Sequence, residues 1–167
     1  MSGVEAQAER PPGRDPTGTA ERPWLRKYPR SVPARLEIPS CLLTELVENS
    51  VQRWPHRTAL AFQGGRWSYR RFWRESERLA ATLRQDGVGP GDRVALYLPN
   101  CPAYPIAFFA ILRLGATVVQ VSPLYHGWDL LSVLVDAAPQ AIVTLDTQWP
   151  HLEEIRDRHR VPVAIVG

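Results

Sequence analysis

Lysine is almost absent: Lys27 stands alone among 20 cationic residues, so nearly all the positive charge is arginine. The formal net charge is only +3, and the arginines alternate with acids, as in Arg70-Arg71-Phe72-Trp73-Arg74-Glu75. Without a dense basic block there is no nucleic-acid footprint. Cysteine is scarce too. Cys41 and Cys101 lie far apart without CxxC spacing, so free thiols are expected. His56, His126, His151 and His159 are scattered and suggest no metal cluster. The first thirty residues lack an apolar stretch of the signal-peptide kind, which leads us to expect a cytoplasmic protein. Long hydrophobic runs are rare as well. Val94 to Leu112 carries no charge, but Pro99, Asn100, Pro102 and Pro105 interrupt it. A spanning helix needs about 20 apolar residues without such breaks. A buried strand, a turn and a buried helix account for this stretch better.

What remains is a globular composition: 167 residues, 44% hydrophobic and 22% charged, with six Trp. That is enough chain for one sizeable core. Residues 1–22 are rich in Pro, Gly, Arg and Glu with little to bury, and read as a disordered tail. Residues 23–39 set Trp24, Leu25 and Tyr28 between prolines, which suits an extended arm. Residues 40–167 read as one ordered region.

Within that region Ser40 is the expected cap of a helix carrying Leu43, Leu46, Val47 and Val51 at helical spacing, stopped by Pro55. Two strands, Thr58 to Phe62 and from Trp67, flank Gln63-Gly64-Gly65-Arg66, where the Gly-Gly pair is expected to supply the positive φ of a hairpin turn. Ser68 caps a second helix with Tyr69, Phe72, Ser76, Leu79, Ala80 and Leu83 on one face, and Gly87 ends it. Pro90-Gly91 predicts a type II turn. From Arg93 onward the pattern becomes strand and helix in alternation. Strands are expected at Val94–Leu98, Thr117–Val121, Ala141–Leu145 and Pro162–Val166, and helices at Tyr104–Leu114, Trp128–Ala137 and Pro150–His159. Continuous apolar strands separated by helices mean βαβ crossovers, a mainly parallel sheet and an α/β class.

The ordered pieces also carry a resemblance. They are Trp67-Ser68-Tyr69, Ser76-Glu77-Arg78-Leu79-Ala80, Gly87-Val88-Gly89-Pro90-Gly91-Asp92-Arg93-Val94-Ala95, Leu98-Pro99-Asn100, Phe109 through Ala116, and Ser122-Pro123-Leu124-Tyr125. In this succession the chain resembles the opening of the adenylate-forming (AMP-dependent) acyl-CoA synthetases. The arm, Arg22-Pro23-Trp24-Leu25 with Tyr28-Pro29 and Val32-Pro33, is similar to the long-chain fatty acyl branch. Two departures stand out: Ser122 where the family usually has Asn, and His126-Gly127-Trp128-Asp129 where it tends to have Thr-x-x-Glu. Both bear on how the helix at 128 is capped.

The resemblance implies an incomplete N-terminal subdomain of that fold and a two-step ligase reaction in the full-length enzyme. A fatty carboxylate attacks the α-phosphate of ATP, and coenzyme A then captures the acyl-adenylate. ATP, Mg and CoA are implied for the full-length family, and none is expected to be bound by this chain alone. The family's phosphate loop ends in Pro-Lys-Gly, and a second lysine comes from a C-terminal domain. Here Thr17-Gly18-Thr19 lies in the tail with no Pro-Lys-Gly after it, and Lys27 lies in the arm. No catalytic, cofactor-binding or metal residue is therefore assigned. The expected partner is the remainder of the ligase chain, with fatty acid bound only in the full enzyme. For that enzyme a homodimer and peripheral membrane contact stay open.

Read from the residues alone, Gly91 and Gly115 are turn and cap positions, and Tyr97, Tyr104, Phe108 and Phe109 are core rather than lining of an acyl tunnel. His126 reads as a loop residue, and Asp136 and Asp146 as capping or solvated acids. The chain stops directly after an apolar strand, so a truncated piece, inactive alone, is expected. The alternative is a stand-alone, non-enzymatic α/β module that binds a partner or nucleotide through its βα loops.

Overall fold

The structure is a computed structural model that describes residues 24, 27–33, 38–160 and 163–165. The expected tail at 1–22, Leu25, Pro162 and Val166 lie outside the described residues. The chain divides into two units, Met1–Ser40 and Cys41–Gly167. In the first, the Val32 N–H donates to the Pro29 carbonyl at 2.9 Å, closing a turn inside the arm.

The second unit opens with α1 (Leu43–Arg53). Its N-cap is Leu42, not Ser40. Glu45, at the third helical position, reaches back to accept from the Leu42 N–H at 3.1 Å. A carboxylate there satisfies a donor that the helix leaves free, so the cap falls two residues later than serine chemistry suggested. Strands β1 (Thr58–Phe62) and β2 (Gly65–Ser68) form an antiparallel hairpin. Its turn is Gln63-Gly64, with φ of 46° and 80°; Gly65 lies in β2, opposite Phe62. Positive φ at both central residues marks a type I′ turn, whose twist matches the strands. The expectation of a Gly-Gly turn is thus off by one residue.

Helix α2 (Tyr69–Gln85) starts at Ser68, whose Oγ accepts from the Arg71 N–H at 3.2 Å. It ends at Gly87, with Val88 N–H bonded to the Leu83 carbonyl and Gly87 N–H to that of Arg84, a Schellman ending. Four parallel strands follow: β3 (Arg93–Tyr97), β4 (Thr117–Val121), β5 (Ala141–Thr144) and β6 (Val163–Ile165), in the order β4-β3-β5-β6. Helices α3 (Ala103–Arg113), α4 (Gly127–Ala137) and α5 (Trp149–Ile155) connect them. The α5 helix is shorter than the expected 150–159. Beyond Ile155 the chain coils into a turn in which the Arg158 and His159 N–H groups share the Ile155 carbonyl. No helix among the described residues is long and apolar enough to cross a membrane.

The pleat of β3 sorts its side chains onto two cores. Val94 and Leu96 face α2 and α3 with Ala80, Leu83, Ala107, Ala110, Ile111 and Val143. Ala95 and Tyr97 face α4 and α5 with Leu130, Leu134, Ile142, Leu152 and Ile155. Because both faces are covered, the strand reads as an unbroken apolar run.

Candidate functional site

Parallel sheets present ligand sites outside the carboxyl ends of their strands, where neighbouring connections leave on opposite faces. Here α3 leaves β3 on one face and α4 leaves β4 on the other. The site to inspect is therefore the end of β3 with its flanks: Leu98–Pro102 after β3, Ser122–His126 after β4 and Leu145–Gln148 after β5.

Tyr97 organises this edge. Its ring is fully buried, and its hydroxyl donates to the carbonyl of Tyr125 in the β4–α4 loop. Burial pushes the phenol above its ordinary value of 10.0, because a phenolate would lose hydration there. Thr144, also fully buried, donates to the Tyr97 carbonyl at 3.0 Å. The loop is braced further by Leu124 N–H to Ser122 Oγ at 3.3 Å and Tyr125 N–H to the Ser122 carbonyl at 3.0 Å. Ser122, one of the two departures from the family pattern, thus holds the loop. The other departure leaves α4 with His126 at its N-cap and no side-chain cap bond. His126 faces His151 of α5, ring centroids 5.8 Å apart. Neither the Tyr97–Tyr125 bond nor the His126–His151 pair is visible in sequence, since each joins residues more than twenty positions apart with no local pattern.

The longest motif of the resemblance, Gly87 through Ala95, proves structural. Gly91 has φ 85° in a turn closed by Asp92 N–H to the Gly89 carbonyl, and Asp92 Oδ2 accepts from the Gly89 N–H at 2.8 Å. Pro90 before it makes this the expected type II turn. Gly91 N–H then donates to the carbonyl of Gly115, the residue that ends α3 with φ 70°. Arg93 Nε donates to the Ala137 carbonyl, placing a cation on the C-terminus of α4. The motif ties three element ends together at the edge of the sheet opposite the candidate site.

The other singled-out residues have plain positions. Phe109 packs edge-on against Phe72, Trp73 and Phe108, centroids 5.7, 6.2 and 5.4 Å away, in an aromatic cluster between α2 and α3. Tyr104 lines a shallow groove of about 360 Å³ with Leu60, Phe62, Cys101 and Pro102, and burial raises its phenol also. Asp146 Oδ1 accepts from the Thr147 N–H at 2.7 Å in a single turn of 3-10 helix (Asp146–Gln148). Asp136 is exposed on α4. Cys41 and Cys101 are free thiols. Thr17-Gly18-Thr19 lies outside the described residues.

The strand ends do not fit a nucleoside triphosphate with its magnesium. Leu98–Pro102, Ser122–Trp128 and Leu145–Gln148 contain no Lys or Arg, and their one carboxylate, Asp146, is already bonded to its own turn. Among the described residues no group of three His, Cys, Asp or Glu could hold a metal ion. A phosphate chain gaining charge needs cations and oriented donors, and these would have to come from residues other than the described strand ends.

Comparison with known proteins supplies the identity of this arrangement. A long-chain-fatty-acid–CoA ligase of Bacillus subtilis is 37% identical over 131 residues, covering 78% of this chain and 23% of that protein. The ligase of the same description from Yersinia pestis is 38% identical over 137 residues, covering 81% and 24%. The chain therefore spans about a quarter of the length of these relatives. Among solved structures, a long-chain-fatty-acid–CoA ligase from Archaeoglobus fulgidus superposes with a TM-score of 0.72 at 20% identity, over 79% of this chain and 28% of that one, a likeness of fold. The fold is that of a partial N-terminal subdomain of adenylate-forming enzymes. The profile described as AMP-binding enzyme matches residues 47–166, and the chain belongs to that family.

Proposed function

We propose that this chain is the N-terminal part of an ATP-dependent long-chain fatty acid–CoA ligase, inactive by itself and active when joined to the remaining chain. The complete reaction turns fatty acid, ATP and CoA into acyl-CoA, AMP and pyrophosphate. The observation that carries the reading is the partial match: relatives named long-chain-fatty-acid–CoA ligase align at 37–38% identity over only 23–24% of their length. The cation-free strand ends agree with it. In this reading residues 40–167 are the scaffold, with the arm at 23–39 and the tail at 1–22 ahead of it. Their contribution is to fix the end of β3 through Tyr97 and Thr144 while the missing chain supplies the phosphate loop, the magnesium ligands and both lysines.

A chimera tests this. Replacing the matched segment of the Bacillus subtilis ligase with the corresponding residues of this chain should give a protein that forms acyl-CoA from a long-chain fatty acid. A folded chimera with no long-chain activity would contradict the assignment.

A further inference from the structure

The β4–α4 loop and the first turn of α4 display large apolar side chains at the surface. Leu124 is 82% exposed and Trp128 73%, with Tyr125 between them 40% exposed. This is not slack chain. The loop is held at three points, by the Tyr97 hydroxyl on the Tyr125 carbonyl and by the two bonds to Ser122. Ordering a loop costs conformational entropy, and here the ordering leaves Leu124 and much of Tyr125 in water, beside Trp128 in the first turn of α4. Large apolar side chains exposed close together in sequence on a braced support point to an interaction surface.

The location says what occupies it. The patch rims the carboxyl ends of β3 and β4, the edge at which parallel α/β sheets place a ligand crevice and at which the described loops, Leu98–Pro102 and Ser122–Trp128, carry no Lys or Arg. A body that supplies cations to that crevice must approach this edge. More than three-quarters of the Bacillus subtilis relative lies outside the match, so a body of that size exists in the relatives.

We propose that Leu124, Tyr125 and Trp128 form a preformed apolar docking surface for the remaining chain of the ligase. Its contacts hold that chain against the end of β3. The inference rests on the reading of this chain as a ligase N-terminal part.

The test uses the chimera described above, the Bacillus subtilis ligase carrying this chain in place of its matched segment, beside the isolated 167-residue chain. Amide exchange across 122–128 should be at least tenfold slower in the chimera than in the isolated chain. Leu124→Glu/Trp128→Glu should lower the melting midpoint of the chimera and leave the circular dichroism and melting of the isolated chain unchanged, because both side chains are exposed there. Equal exchange across 122–128 in the folded chimera and the isolated chain would overturn the docking surface, while acyl-CoA formation by that same chimera would leave the functional reading intact. Self-association of the isolated chain, abolished by the double variant, would overturn the proposal by making a second copy the occupant.

Discussion

The α2–α3 side of the sheet and the α4–α5 side bury alternate residues of the same strand, yet they are closed to different degrees. On the first, α2 (17 residues) and α3 (11 residues) cover Val94 and Leu96, and Arg113 adds a clasp. Its guanidinium lies 3.1 Å from Glu77, 3.6 Å from Glu48 and over the Trp73 ring at 4.3 Å, joining α1, α2 and α3. On the second, α4 leaves Trp128 and Val135 exposed, α5 has seven residues, and a pocket of about 370 Å³ opens among Leu134, Ile142, Leu152 and Ile155. A groove of about 420 Å³ opens on the first side too, between Glu48, Glu77, Arg84 and Arg113, but of the buried core there only Ala80 lines it. The pocket on the second side reaches four core residues, and that side also carries the loop that reaches the strand ends. Stability and docking are thus assigned to opposite faces of one sheet.

This contrast breaks if equivalent truncations cost the same on both sides. Leu96→Ala, in the closed core, should lose about 4 kcal/mol, whereas Leu152→Ala, beside the pocket, should lose about 2, because truncation costs most where neighbours cannot relax. Urea unfolding with unchanged slope measures both. Equal losses would mean that the two faces are packed alike.

The helix ends sharpen the comparison at a smaller scale. α3 gives way to Gly115 at φ 70°, where an added Cβ would meet Pro90 at 3.4 Å; α4 ends on Ala138, a non-glycine residue at φ 42°. A side chain in this left-handed region costs about 1–2 kcal/mol. Gly115→Ala should therefore destabilise by about that amount. Ala138→Gly should stabilise, by about 0.5–1 kcal/mol, since part of the gain returns as unfolded-chain entropy. Thermal melting of the two variants should move in opposite directions, and a fall in both would show that Ala138 is not strained.

The parallel sheet was legible because Val94-Ala95-Leu96-Tyr97 and Ala141-Ile142-Val143 are apolar without alternation, which only a doubly covered strand requires. The Ser68 cap and the endings at Gly87 and Gly115 followed from local chemistry. Where sequence misled, a neighbour only three residues away decided. Pairing of Phe62 with Gly65 moved the hairpin turn onto Gln63-Gly64, and the Glu45 carboxylate moved the first cap to Leu42. The candidate site was the least legible part, because it is made of long-range bonds. Tyr97 looked like core, and it is; that its hydroxyl also braces Tyr125 depends on the fold.

The account stands or falls on whether these residues can activate a fatty acid unaided. The direct measurement is fatty-acid-dependent exchange of pyrophosphate into ATP by the purified 167-residue chain with a long-chain fatty acid and magnesium. Even one lost oxyanion-type donor lowers a rate by about 10²–10³, and the strand ends here carry neither Lys nor Arg. The expected result is exchange indistinguishable from a control without protein; exchange above that control would contradict the account.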